Sequence, residues 1–291
     1  CGTHSGLTEG TNEMKYIIQL TLKEIMNKRI LHMGVIMTLL YLLLYGFAVH
    51  YSAKNIAMSS MEAWFAQQIG YQMLTMGWYI STFLCGALAV LTGAGSLASE
   101  IESGTILGLA SKPVSRRAIV GGKFLAYTIV TAVYSAVLLG AVALLTGYFF
   151  KLQVDPIALL SGIGLFMLFP VILLALAHLG SARFSTLATG VVTFMLFALA
   201  IIGGFIEQIG AMMENASMIN IGVVSSLVIP SDAIYRLAVS VAVGPMGKSS
   251  IASFGPFGAA STPSTVMLIY ALVYIIIILA LAFRFFGKRD F

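Results

Sequence analysis

Apolar residues in this chain come in long uninterrupted blocks, not at alternating positions. Six blocks stand out, at 31–51, 73–98, 119–149, 157–178, 187–206 and 265–286. Each is near or above the ~20 residues a helix needs to cross a hydrocarbon core of ~30 Å. The run LIYALVYIIIILALAF at 268–283 shows none of the alternating polarity of membrane-barrel strands. The pattern predicts an all-α membrane protein, a six-transmembrane-helix bundle.

Between the blocks, two stretches have patterns of their own. At 14–30, Lys15, Gln19, Lys23 and Asn27 recur every four residues while Ile18, Leu22 and Ile25 take another face. This spacing predicts an amphipathic helix lying in the membrane interface ahead of the first span. The second stretch, 211–263, reads as the one long loop. Its apolar part, INIGVVSSLVI at 219–229, is too short to span. After Pro230, Ile234, Leu237, Ala238 and Val241 follow the i, i+3, i+4, i+7 spacing of a helix lying in the interface. Within the blocks, glycines such as Gly86, Gly93, Gly162, Gly164, Gly203 and Gly204 predict close helix packing, and Pro170 predicts a kink in the fourth span.

Composition agrees: the chain is 59% hydrophobic and 9% charged, against about one quarter charged in soluble domains. Lys and Arg are retained on the cytoplasmic side of membranes. With the N-terminus inside, twelve of the 16 basic residues fall in cytoplasmic segments, and Lys54, Lys151, Arg236 and Lys248 fall outside. Both termini are therefore expected in the cytoplasm, with 211–263 extracytoplasmic. The net charge of +5 is then a topology signal and does not point to nucleic acid. The expected organisation is a non-native or disordered leader at 1–13, the interfacial helix at 14–30, a transmembrane domain at 31–286 with a cytoplasmic segment at 99–118, and a tail at 287–291.

The search for reaction chemistry excludes more than it finds. Cys1 and Cys85 make no disulfide framework. His32, His50, His178 and Arg284 lie near the ends of spans, and no catalytic motif or pair of carboxylates falls within one. AVGPMGKS at 242–249 resembles a phosphate-binding loop, but Ala242 stands in place of its first glycine and no strand precedes it. No catalytic residue, metal site or cofactor is expected; any ATP hydrolysis belongs to another chain. Nothing in the spans names a cargo.

What charge there is concentrates after the second block. EIESGTILGLASKPVSRRAIVGGK, at 100–123, holds six of the 27 charged residues. Ser99 and Glu102 have the spacing of a capping box, which predicts a short helix starting at Ser99 as the chain leaves the membrane. Gly104 weakens that helix, Pro113 ends it, and Ser115 restarts one into the third span.

Within this segment, Glu102, Gly104 and Thr105, then Pro113, Ser115 and Arg116, then Gly122 and Lys123 resemble the E-x-GT, P-x-S-R and GK elements of ABC-2 type permeases. These are the membrane subunits of ATP-binding-cassette exporters. NIGVVSSLVIPSDAIYR at 220–236 is loosely similar to the outer-loop region of the same family. The resemblance implies a coupling helix that docks on a separate cytoplasmic ABC ATPase. Its candidate residues are Glu100, Glu102, Gly104, Thr105, Leu107, Pro113, Ser115, Arg116, Arg117 and Lys123. It implies as partners two ATPase copies, a second permease copy or homologue, and the lipid bilayer of a prokaryotic cell membrane. The alternative function is a non-transporting membrane mechanotransmitter, which passes ATP-driven movement to an extracytoplasmic partner, or a membrane-complex subunit driven by an ABC ATPase.

Overall fold

A computed structural model describes residues 3–58, 63–104, 116–248 and 261–288. Its helices are α1 (Thr3–Asn27), α2 (Arg29–Met58), α3 (Ala63–Ala94), α4 (Ala98–Glu102), α5 (Arg116–Phe150), α6 (Pro156–Phe166), α7 (Leu168–Ser181), α8 (Thr186–Met212), α9 (Ala216–Val228), α10 (Ser231–Lys248) and α11 (Val266–Gly287). Among the described residues, six stretches are long and apolar enough to cross a membrane: Arg29–Ile56, Trp64–Glu102, Ala118–Phe150, Pro156–Ser181, Thr186–Met212 and Val266–Gly287. Large apolar side chains such as Leu43, Leu144, Leu187 and Ile276 face outward from these helices. An outward surface of that kind suits lipid.

The interior is held by aromatic packing and by hydroxyls that find partners on neighbouring helices. Trp78 on α3 is 1% exposed and donates its indole N–H to the Leu139 carbonyl on α5 at 3.3 Å. Tyr45 on α2 donates to the Met73 carbonyl at 2.9 Å and lies 2.7 Å from Thr146 Oγ1, so one side chain joins α2, α3 and α5. Hydrogen bonds of this kind are worth roughly 0.6 kcal/mol each between membrane helices. Close packing adds to them. A Cβ on Gly93 would stand 2.7 Å from the Ala177 Cβ, and one on Gly86 would stand 2.8 Å from the Phe197 ring. Not every span glycine serves this purpose, since Gly164 faces nothing within 4 Å.

The fourth span breaks between α6 and α7 at Met167. Pro170 explains the place, because a proline has no N–H for the carbonyl four residues earlier, that of Phe166. The amphipathic helix packs on the start of α5. Ile17, Thr21 and Ile25 are buried while Lys15, Gln19, Lys23 and Asn27 face outward. A Cβ on Gly122 would be 2.8 Å from Ile17 Cγ2, so Gly122 is what lets α1 approach α5.

One expectation needs correction: 211–263 holds more than loop. α8 continues to Met212, and α9 runs back along it, with Ser225 Oγ donating to the Leu199 carbonyl at 3.2 Å. At Ile229 and Pro230 the chain bends by 106° into α10. α10 does not lie on the surface as an interfacial helix would. Ala233 through Val239 are all buried, and a Cβ on Gly162 of α6 would be 2.5 Å from the Ala242 Cβ. Ser261 is again at the end from which α9 entered, where it meets Glu207 and Gln208 near the C-terminus of α8. The α9–α10 pair is therefore a re-entrant hairpin. The i, i+3, i+4, i+7 positions did face an apolar surroundings, but so do the positions between them, because the helix is enclosed by α3, α6 and α7.

Candidate functional site

Polar side chains gather at both ends of the bundle. At the end bearing α4, the chain leaves α3 through a turn at 95–97. Ser181, from the end of α7, accepts hydrogen bonds from the backbone N–H groups of Leu97 (2.9 Å) and Ala98 (2.8 Å). Those are orphan donors at the start of α4, so a residue of the fourth span caps it. The expected capping box is not made. Leu97 occupies the N-cap position, and Ser99, already inside the helix, donates back to the Gly95 carbonyl.

Two acidic residues of α4 reach in different directions. Glu100 pairs with Lys123 of α5, whose ammonium also donates to the Ser96 carbonyl at 3.0 Å. Lys123 is 4% exposed, so this pair is a buried contact of the kind whose disruption strands a charge. Glu102 reaches the start of α8: Oε1 accepts from the Thr186 N–H at 2.8 Å and Oε2 from the Thr186 hydroxyl at 3.0 Å. A carboxylate there satisfies a free donor and faces the positive end of the helix dipole. α4 ends at Glu102, with Gly104 at φ +72°, a left-handed conformation that glycine adopts without strain.

His178 completes the cluster. Its Nε2 lies 3.2 Å from the Val120 carbonyl and its Nδ1 2.7 Å from Ser96 Oγ. A carbonyl only accepts, so Nε2 carries hydrogen, and the Ser96 hydroxyl beside Nδ1 donates to the Gly93 carbonyl at 2.6 Å. Nearby, Lys28 joins Glu24 at 2.8 Å and donates to the Tyr127 hydroxyl at 3.0 Å. Burial works against the Lys28 ammonium, but Tyr127 and Glu24 outweigh it and hold its pKa above the ordinary lysine value.

The structure thus brings together Glu100, Glu102 and Lys123 with three residues that motif reading passed over, Ser96, His178 and Ser181. Arg116 and Arg117 open α5. Thr105, Leu107, Pro113 and Ser115 lie outside the described residues. Among the described residues, no group of three or more His, Cys, Asp or Glu is placed to hold a metal ion.

These contacts separate two serines that sequence reading ranks the other way. Ser181→Ala leaves two buried donors at the start of α4 without an acceptor. It is expected to cost about 1–2 kcal/mol, seen as a lower unfolding temperature in detergent. Ser99→Ala should change little, and a larger loss from Ser99 than from Ser181 would refute the cap assignment.

At the opposite end, Arg236 of α10 is 2% exposed. Its guanidinium meets both Glu207 oxygens, Oε1 at 2.6 Å and Oε2 at 2.7 Å, and Nε meets Asp232 Oδ2 at 2.9 Å. It further donates to the Ser261 carbonyl at 3.1 Å and to Ser226 Oγ at 3.4 Å. One residue thus ties together α8, α9, α10 and the approach to α11. Glu207 escaped the sequence reading because the fifth span was ended one residue before it. The signal was Arg236 itself: the five N–H donors of an arginine in so apolar a helix need acceptors beyond its neighbour Asp232.

A helical bundle of six membrane-crossing stretches with an interfacial helix, a capped stub at one end and a re-entrant hairpin at the other defines a multi-pass membrane protein. The family model for ABC-2 family transporter proteins matches residues 18–291. The chain belongs to that family and is a membrane permease of an ABC system, whose members associate with an ABC ATPase. No curated protein matches it.

Proposed function

We propose that the chain is the permease subunit of an ATP-binding-cassette exporter, and that the segment beginning at α4 is the handle by which the ATPase moves it. The observation that carries this reading is the double contact of Glu102 with Thr186. Together with Glu100–Lys123 and the Ser181 cap, it fastens α4 to the third, fourth and fifth spans besides its own. A push on the chain following Glu102 would reach all four as a rigid-body movement.

In this reading ATP hydrolysis takes place in the partner and the chain itself is not an enzyme. Two ATPase copies serve two permease chains, because six spans form half of the usual set for such exporters. The twelve-to-four distribution of basic residues supports a cytoplasmic N- and C-terminus and a cell-membrane location. Glu100, Glu102, Gly104 and Lys123 shape the stem of the handle; Thr105, Leu107, Pro113, Ser115, Arg116 and Arg117 would form or flank the part that meets the ATPase. Gly122 and Lys123 have a physical role in this scheme: the first seats α1 and the second holds α4.

The test is Glu102→Lys in the reconstituted complex. The variant removes both contacts to Thr186 and sets a cation against a helix N-terminus. It is expected to insert and assemble but to lose most permease-stimulated ATPase activity. Glu102→Gln, which keeps an acceptor for the Thr186 N–H, should retain most of it. Unchanged stimulation in Glu102→Lys would refute the reading.

A further inference from the structure

A cavity of about 440 Å³ lies between α9, α10 and the start of α11, within the roughly 300–1,000 Å³ of small-molecule pockets. Val223 and Leu227 of α9 and Met267 and Tyr270 of α11 line it, together with Glu207 and Arg236. We propose that this cavity binds an amphiphile with a hydrocarbon tail and a singly cationic head, such as an alkyl ammonium.

The tail follows from the apolar part of the lining, Val223, Leu227, Ala233, Pro263, Val266 and Met267. The sign of the head follows from counting donors. A guanidinium has five N–H groups, and those of Arg236 go to Asp232, to the two Glu207 oxygens, to the Ser261 carbonyl and to Ser226 Oγ. None is left for an anion. Acceptor capacity does remain. Among the described residues, Glu207 Oε1 takes Arg236 and the Ser261 hydroxyl (2.6 Å), whereas Oε2 takes Arg236 alone. The hydroxyl of Tyr270, a lining residue, donates to the Leu227 carbonyl, so its oxygen still has lone pairs to accept with.

Charge points the same way. Two carboxylates, Glu207 and Asp232, against one guanidinium leave one net negative charge, all three side chains being at least nine-tenths buried. The hydroxyls of Ser226, Thr262 and Ser264, which also line the cavity, can donate or accept and so do not decide the sign. A cationic head meets an open carboxylate lone pair and balances the surplus charge. An anionic head would add to that charge and find no guanidinium donor.

The test uses the full chain in a nonionic detergent, with decylamine, decanol and decanoate as probes and bound probe counted by native mass spectrometry. Decylamine is expected to bind at least about ten-fold more tightly than either of the others, the value of one charge-assisted hydrogen bond. Met267→Trp and Val223→Trp fill the cavity from two different helices. Each variant that retains the wild-type unfolding temperature should lose decylamine binding. Equal binding of all three probes, preference for decanoate, no binding of decylamine, or binding unaffected in a folded wall variant would overturn the proposal. The measurement needs no ATPase, so its failure is separate from failure of the coupling reading.

Discussion

Arg236→Ala is expected to be the most damaging single substitution in the chain, lowering stability by about 3–5 kcal/mol, the usual cost of removing one partner from a buried ion pair. The reason is what stays behind. Glu207 and Asp232 are 4% and 8% exposed and would share a small enclosed space with no cation. Folded domains have about 5–15 kcal/mol of stability in total, so the variant should yield little monodisperse protein in size-exclusion chromatography. Arg236→Lys restores the charge but not the planar fork that meets both carboxylates, and should fall between the two. Combining Arg236→Met with Glu207→Gln and Asp232→Asn removes the charges as a set and should recover much of the loss. If Arg236→Ala unfolds at the wild-type temperature, the three residues do not form the enclosed network described above.

Gly222→Val is expected to act on the same network by displacing a helix. A Cβ at this position would lie 2.2 Å from the Cβ of Glu207 and 2.8 Å from the carbonyl oxygen of Gly203. Neither atom is the far end of a flexible side chain, so α8 and α9 must move apart. Overpacking of this kind costs about 1–3 kcal/mol, and here it also draws Glu207 away from Arg236. The loss should therefore be less than additive with that of Arg236→Ala, as expected for substitutions that break one shared contact. Gly164→Ala is the control, having nothing within 4 Å of the added carbon. Unfolding temperatures in one detergent decide the matter: equal effects at Gly222 and Gly164 would refute the close α8–α9 crossing.

The two ends of the bundle differ in how far they could be read from residue order. At the α4 end, the charged segment and its family motif were legible, since ESGT and GGK stand out in so apolar a chain. Their mechanics were not. Ser99 and Glu102 have the spacing of a local cap, and local geometry alone makes that the natural reading. The partners prove to be Ser181 for the helix start and Thr186 for Glu102, each more than 80 residues away in the chain. At the hairpin end, Asp232 and Arg236 were visible as an i, i+4 pair, but Glu207 lay just beyond a span boundary drawn from hydropathy. Such boundaries blur where a charged residue ends an apolar block, because hydropathy cannot tell a charge in water from one neutralised inside the bundle.

By itself the sequence determined that the chain is a bundle of membrane-crossing helices, where those helices lie to within several residues, and the family to which it belongs. Those properties follow from block length and from a contiguous motif, both local quantities. Only the tertiary structure decided that the long loop folds back into the bundle, that α4 is held by three other spans, and that one arginine joins the hairpin to α8. The physical reason is common to all three. A buried polar group must find a partner wherever one is near in space, and in a bundle of antiparallel helices the nearest partner sits on a helix that residue order does not reveal.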